Sequence, residues 1–217
     1  MSPEAGSEPR AWQERAVSRS LERSRAHMER RSFRFLETAL QLVEETEGED
    51  FTVQDVVDRM KVSTRTFYQF FTGKDEFLVA MFEELQRDRN HRLREEVDAE
   101  PDPLARLRIF VIGTQHGSSR AAVSRFLVQQ FFRLQVSHPA ELRQSYKGVI
   151  AYLAQLVADA AGAGSIQSTD HERTAGFIMQ MVNTAIQANI LGSPMMDLPP
   201  SPEEVWEFCL RGIKAGE

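Results

Sequence analysis

The sequence predicts an all-α protein of about nine helices, with an N-terminal three-helix domain containing a helix-turn-helix and a larger C-terminal helical domain. Three observations predict this class. Residues 10–100 contain no proline, and a proline inside a helix costs roughly 3 kcal/mol, so long helices are permitted there. Apolar residues recur at helical intervals in Phe35, Leu36, Ala39, Leu40, Leu42 and Val43, and again in Val123, Phe126, Leu127, Phe131 and Leu134. No stretch shows the clean apolar–polar alternation of a half-buried strand.

The elements follow in order. Residues 1–10, MSPEAGSEPR, have the composition of a disordered tail, and the first helix is expected over 27–48. Thr52-Val-Gln-Asp55 is a cap of the S/T-x-x-acidic type, with Phe51 and Val56 spaced as a hydrophobic staple, and opens a helix over 52–60. Ser63 caps a helix over 63–70, where Val62 and Phe67 repeat the staple. Thr72-Gly-Lys-Asp75 opens a longer helix over 73–98. Asp102-Pro103 and the full capping box Ser201-Pro-Glu-Glu204 put proline at the first helical position and start helices over 103–116 and 202–215. Between them lie helices over 119–137, 139–163 (opened at His138-Pro139) and 169–192 (opened at Thr169-Asp-His-Glu172). Ala99-Glu-Pro-Asp-Pro103 divides short helices from long ones. The expected units are a tail or arginine-rich arm over 1–26, a helix-turn-helix domain over 27–74, a connecting helix over 75–98 and a C-terminal domain over 99–217.

Composition narrows the function. With 217 residues, 41% hydrophobic and 27% charged, the chain reads as an ordinary folding, cytoplasmic protein. No apolar run reaches the ~18–20 residues of a membrane span, and no signal-peptide core is seen, so no membrane partner is expected. The single cysteine, Cys209, excludes an internal disulfide and a multi-cysteine zinc site. His27, His91, His116, His138 and His171 lack metal-ligand spacing, and there is no nucleophile elbow, P-loop or dinucleotide fingerprint. The expectation is therefore no catalytic residue, no metal and no cofactor. A net charge of −6 argues against a nucleic-acid binder until its distribution is read. Residues 51–74 hold Arg59, Lys61, Arg65 and Lys74 against Asp55 and Asp58, whereas Glu44, Glu45, Glu47, Glu49 and Asp50 cluster just outside.

Residues 51–74, FTVQDVVDRMKVSTRTFYQFFTGK, carry the functional signal. Two short capped helices joined by Met60-Lys61-Val62 have the layout of a helix-turn-helix. At about 100° per residue, Thr64, Arg65, Tyr68 and Gln69 fall on one side of the second helix; Ser63, Thr66, Phe67 and Phe70 fall on the other. One side packs on the protein. The other offers hydroxyls, an amide, a phenol and a guanidinium to phosphates and base edges, as a recognition helix does in a major groove.

Residues 31–86 resemble the DNA-binding domain of the TetR family of bacterial transcriptional regulators. The resemblance rests on Ala39-Leu40, Phe51-Thr52, Val62-Ser63, Thr66-Phe67-Tyr68-Gln69-Phe70-Phe71 and Gly73-Lys74-Asp75-Glu76-Phe77-Leu78, and covers about a quarter of the chain. It departs from the family at Lys61, where the turn usually has glycine, and at Arg65, where a small residue is common. It implies DNA contacts by Thr64, Arg65, Thr66, Tyr68 and Gln69, with Thr52, Gln54 and Lys74 on phosphates. The arginines at 10, 15, 19, 23, 25, 30, 31 and 34, mixed with glutamates, read as a solvated face or as an arm that orders on DNA with arginines in the minor groove, anchored by Trp12.

The resemblance also implies a C-terminal domain that dimerises and holds a small molecule. The 169–192 helix carries a broad apolar face including Ile178, Val182, Ala185, Ile186 and Asn189, and the last helix carries Val205, Trp206, Cys209 and Ile213. Two such helices from each chain are expected to make a four-helix homodimer interface. Phe110, Phe126, Phe131, Tyr152 and Met181 are expected to line an effector pocket, with Gln130 or His116 orienting an apolar ligand such as a lipid, steroid, acyl or aromatic compound. The function implied is a homodimeric, ligand-responsive repressor of a palindromic double-stranded DNA operator. The alternative is an all-helical small-molecule or lipid-binding protein whose helix-turn-helix no longer binds DNA.

Overall fold

Caps and prolines decide where most of the helices begin. The structure is a computed structural model that describes residues 11–116 and 121–214. Among the described residues the helices are α1 (Ala11–Glu45), α2 (Val53–Met60), α3 (Thr64–Phe67), α4 (Lys74–Ala99), α5 (Pro103–Gln115), α6 (Ala121–Ser137), α7 (Pro139–Gly162), α8 (His171–Leu191) and α9 (Pro202–Ile213). The fold is all-α, with an N-terminal helix-turn-helix and a C-terminal helical part. Reciprocal capping boxes join Thr52 to Asp55 and Ser201 to Glu204. The carboxylates of Asp102 and Asp170 accept from the amides of Ala105 at 2.7 Å and Arg173 at 2.9 Å.

Three boundaries depart from expectation. α1 begins at Ala11 rather than at residue 27. No proline or glycine interrupts residues 11–47, and Arg25 Nε donates to Glu29 Oε1 at 2.8 Å one turn on. α3 is a single turn, after which the chain continues in turns, Phe70 N donating to the Phe67 carbonyl at 2.9 Å. α8 starts at His171 because Asp170, not Thr169, supplies its cap.

Among the described residues two apolar cores form, and they do not divide where the chain's spacing suggests. The first gathers Phe35, Ala39 and Val43 of α1, Val56 of α2, Phe67 of α3 and Phe77, Leu78 and Met81 of α4. Val123, Phe126 and Leu134 of α6 complete it, so a helix of the C-terminal part is built into the core of the helix-turn-helix. The second core packs α5, α7, α8 and α9 around Leu107, Phe110, Leu153, Leu156, Val182 and Trp206. α4 belongs to both: its first half enters the first core, and Leu93 and Val97 enter the second. Arg106 fastens this junction, reaching Asp98 at 3.2 Å and Asp159 at 3.4 Å.

Candidate nucleic-acid interface and effector groove

The turn between α2 and α3 follows the geometry that a glycine would take. Lys61 sits in the left-handed region at φ 55°, ψ 45°. The amide of Val62 donates to Val57 O at 3.0 Å and that of Lys61 to Asp58 O at 3.1 Å, the paired closure of a Schellman motif. A β-carbon at this φ costs about 1–2 kcal/mol. Lysine at this position is therefore strained, and the turn keeps its geometry regardless. Lys61→Gly is therefore expected to raise stability by about 0.5–1 kcal/mol, part of the relieved strain being offset by glycine's extra freedom when unfolded. A urea midpoint that stays put or falls would contradict this.

α3 and the turns that follow it expose the side that periodicity assigns, and Ser63, assigned to the packed side, is exposed as well. Thr64, Arg65, Tyr68 and Gln69 are exposed, Thr66 is half-buried and Phe67 is fully buried. Phe67 is held by Phe35 at 5.6 Å, Phe71 at 5.3 Å and Phe77 at 5.3 Å between ring centroids. The Tyr68 ring stands edge-on to Phe67 at 5.5 Å, yet remains 57% exposed. Thr66 Oγ1 lies 3.0 Å from Ser63 Oγ, which also accepts from the Thr66 amide, so its hydroxyl takes part in the cap.

The flanking residues are less free than their sequence suggests. The Thr52 amide and Oγ1 both donate to Asp55 Oδ2 at 2.7 Å, which holds the Asp55 carboxyl below its usual range, and Oγ1 accepts in turn from the Asp55 amide. Gln54 Nε2 donates to Asp58 Oδ1 at 2.6 Å. Lys74 Nζ bonds Asp50 Oδ1 at 2.5 Å and the Phe51 carbonyl, and lies 4.9 Å above the Phe51 ring. Arg59 pairs with Glu45. Two of the four cations in 51–74 are thus neutralised by the neighbouring acidic cluster, and Lys61 and Arg65 are left exposed to solvent.

The predicted effector pocket is not assembled. Phe110 and Phe126 are 1% and 0% exposed and fill different cores. Tyr152 packs on Phe110 at 5.6 Å, donates to Asp98 Oδ1 at 2.8 Å and lies under the Arg94 guanidinium at 4.1 Å. Burial, then the bond to Asp98, pushes its phenol up to about 12. Gln130 Oε1 accepts from Arg133 Nε at 3.2 Å, and His116 is exposed at the end of α5. Met181 opens onto the opposite side of α8. Of these residues only Phe131 lines a groove of about 420 Å³ between α6, α7 and α8. Leu142, Tyr146, Ile150 and Met179 give it an apolar wall, and Arg143, Gln135, Gln180 and Asn183 are its polar lining. One signal was available: Leu142, Arg143, Tyr146 and Ile150 form a second stripe on α7, beside the buried stripe of Val149, Leu153, Leu156 and Val157.

The predicted interface residues also move. Ile178, Val182, Ala185, Val205, Trp206 and Cys209 are buried within the protomer, although Ile178 and Cys209, together with Ile213, form part of the lining of the cleft that α8 and α9 leave open. Ile186 and Ile213 are half-buried against the same core. Asn189 is exposed, but its Nδ2 donates to the carbonyls of Ala185 and Pro200, at 2.9 and 3.0 Å, and so pins the α8–α9 connection. Burial pushes the Cys209 thiol pKa up, consistent with an inert thiol. What α8 and α9 leave open is a cleft of about 570 Å³ lined by Phe177, Met181 and Phe208, which are 66%, 38% and 66% exposed. Among the described residues no group of histidine, cysteine and carboxylate side chains is placed to hold a metal, and no helix is long and apolar enough to cross a membrane.

Residues 35–81 match the family of bacterial regulatory proteins designated tetR. No curated protein matches the chain. Among solved structures, FadR of Thermus thermophilus, a TetR-family transcriptional repressor in complex with lauroyl-CoA, shares the fold with a TM-score of 0.68 at 17% identity, over 86% of this chain and 96% of that one. A TetR-family transcriptional regulator from Pectobacterium atrosepticum has a TM-score of 0.66 at 16% identity, over 87% and 92% of the two chains. The regulator FadR of Bacillus subtilis, in complex with stearoyl-CoA, has a TM-score of 0.58 at 16% identity, over 83% and 98%.

Proposed function

We propose, for a chain whose residues 35–81 are those of the tetR family of bacterial regulatory proteins and whose fold is that of TetR-family regulators, that it is a homodimeric repressor released from a near-palindromic operator by a small effector. The observation that carries the reading is α3. Thr64 and Arg65 on it, and Tyr68 and Gln69 in the turns that follow, are all exposed, while Phe67 behind them is buried. Arg65 and Gln69 are the base readers by chemistry, since guanidinium and amide groups make paired bonds to guanine and adenine edges. Thr64, Thr66 and Tyr68 add backbone or groove contacts. Thr52, Gln54 and Lys74 flank them as phosphate ligands, Lys74 by exchanging Asp50 for a phosphate oxygen.

The apolar cleft of Phe177, Met181 and Phe208 suits a second copy of this chain, α8 and α9 from each protomer making a four-helix contact. The α6/α7/α8 groove suits an effector with an apolar tail and an anionic end that Arg143 complements. An acyl-CoA, as bound in both FadR structures, has that chemistry. Selection of bound duplexes from a random library tests the reading. A two-fold-symmetric motif is expected. Arg65→Ala and Gln69→Ala should each weaken binding by about 1–3 kcal/mol and relax preference at particular bases. Recovery of no motif, or variants that keep the motif and the affinity, would refute it.

A further inference from the structure

α1 is much longer than its packed part. Phe35 is the first of its described side chains to be buried, so residues 11–34 project from the domain. At 1.5 Å per residue the projection is roughly 36 Å long, close to one turn of duplex DNA. Its direction is given by what α1 touches. At the C-terminal end, a β-carbon on Gly48 would lie 3.2 Å from the carbonyl oxygen of Ala122 in α6. At the other end of the packed part, Phe35 meets Phe67, Phe70 and Phe71 at 5.6, 5.7 and 6.2 Å. The helix therefore runs from α6 to the α3 element and continues past it.

The projection is the basic part of an acidic chain. Residues 11–34 hold seven arginines against three glutamates, in a protein of net charge −6. Arg10 and the side chain of Arg15 lie outside the described residues. Arg19, Arg23, Arg30 and Arg34 are exposed and fall within about 60° of one another around the helix, with Trp12, 57% exposed, on the same side. Val17, Leu21 and Met28 lie on the far side, in line with Phe35 and Ala39, by which α1 packs on its domain. The arginines thus occupy the side that the domain does not cover.

We infer that this projecting half of α1 is a second DNA-contacting element, whose arginines bind phosphates of the duplex flanking the site held by α3; the inference rests on the DNA-binding reading above. Being helical already, the arm does not enter a minor groove: a helix with its side chains is about 10–12 Å across and that groove about 6 Å wide. This departs from the minor-groove arm that the sequence suggested. Phosphate contact gives affinity and salt dependence without base preference. A bilayer is the poorer occupant, because Ser24 and Ser32 interrupt the apolar side and leave too narrow a face to insert.

The test uses the full chain and the fourfold variant Arg19→Gln, Arg23→Gln, Arg30→Gln, Arg34→Gln, with the matching fourfold lysine variant as the charge-retaining control. Fluorescence anisotropy follows binding to random-sequence duplexes of about two and four helical turns, ~20 and ~40 bp, from 50 to 200 mM salt. On the longer duplex the glutamine variant is expected to bind at least tenfold more weakly. Its slope of log affinity against log salt should be shallower by up to about 3.6 per protomer, at 0.9 for each phosphate lost. The lysine variant should keep most of that slope, and the short duplex should show a smaller change. An unchanged slope on the longer duplex overturns the proposal. So does a loss confined to vesicles of phosphatidylcholine and phosphatidylglycerol. A wild-type chain that binds neither duplex refutes the DNA-binding reading itself, a different result from an indifferent variant of a binding protein.

Discussion

Phe67→Ala is expected to lower the stability of the N-terminal core by about 3–5 kcal/mol and to abolish DNA binding with it. The residue is fully buried and its ring touches those of Phe35, Phe71 and Phe77, at 5.6, 5.3 and 5.3 Å. Edge-to-face and tilted contacts of this kind add about 0.5–1.5 kcal/mol beyond the area they bury. α3 is a single turn, far shorter than the ~12–15 residues at which isolated helices become even marginal. Its position is therefore set by Phe67 and the Ser63 cap rather than by its own hydrogen bonds. Urea unfolding should show the loss as a lower midpoint. Tyr68→Ala, removing a ring that is 57% exposed, should shift the midpoint by no more than about 0.5 kcal/mol while weakening DNA binding. If both variants unfolded alike, the division of α3 into a packed and a presented side would be wrong.

Where signals were local, the sequence was legible. The capping boxes at Thr52 and Ser201, the Asp102 cap and the two sides of α3 follow from spacings within one or two turns, and the structure keeps them. What periodicity cannot say is which neighbour covers an apolar face. α8 carries a face broad enough to suggest a partner chain, but α5, α6, α7 and α9 all pack on it, so Val182 and Ala185 are consumed inside the protomer and Ile178 reaches only the floor of the α8/α9 cleft. Exposure falls instead to Phe177, one residue off the buried stripe. The pocket failed for the same reason: Phe126 and Phe110 look alike in sequence, yet α6 delivers the first to the helix-turn-helix core and α5 the second to the other. Lys61 was legible as a departure, and the Schellman bonds of Val62 and Lys61 account for why the turn keeps its shape. The start of α1 was missed because mixed arginine and glutamate reads as a tail when only its charge is weighed. The same residues at i, i+4 spacing support a helix.

Arg133→Gln is expected to leave DNA binding near the wild-type level and to remove its response to effector. Arg133 Nη2 lies 2.7 Å from Asp75 Oδ1, and His138 Nδ1 lies 3.5 Å from the other oxygen of that carboxylate. Asp75 is in the first turn of α4, next to Lys74, which is itself tied to the α1–α2 loop through Asp50 and Phe51. On the same helix as Arg133, Phe131 and Gln135 line the α6/α7/α8 groove proposed for an effector. On the reading proposed above, a ligand that displaced α6 would pull on the end of α4 assigned to the DNA. As stability the pair counts for little, since both side chains are partly exposed and such bridges contribute about 0–1 kcal/mol. As coupling it counts for more: effectors typically shift a second site's affinity 5–150-fold, or about 1–3 kcal/mol, and the shift is reciprocal. With lauroyl-CoA as probe, wild-type protein should bind its selected operator more weakly, and operator should weaken lauroyl-CoA by the same factor. In Arg133→Gln both factors should approach one, and in the exchanged pair Arg133→Asp, Asp75→Arg they should partly return. A variant that releases DNA as completely as wild type would place the coupling elsewhere. A wild-type protein indifferent to lauroyl-CoA would instead remove the acyl class of effector while leaving the α6–α4 contact to be tested with another ligand of the groove.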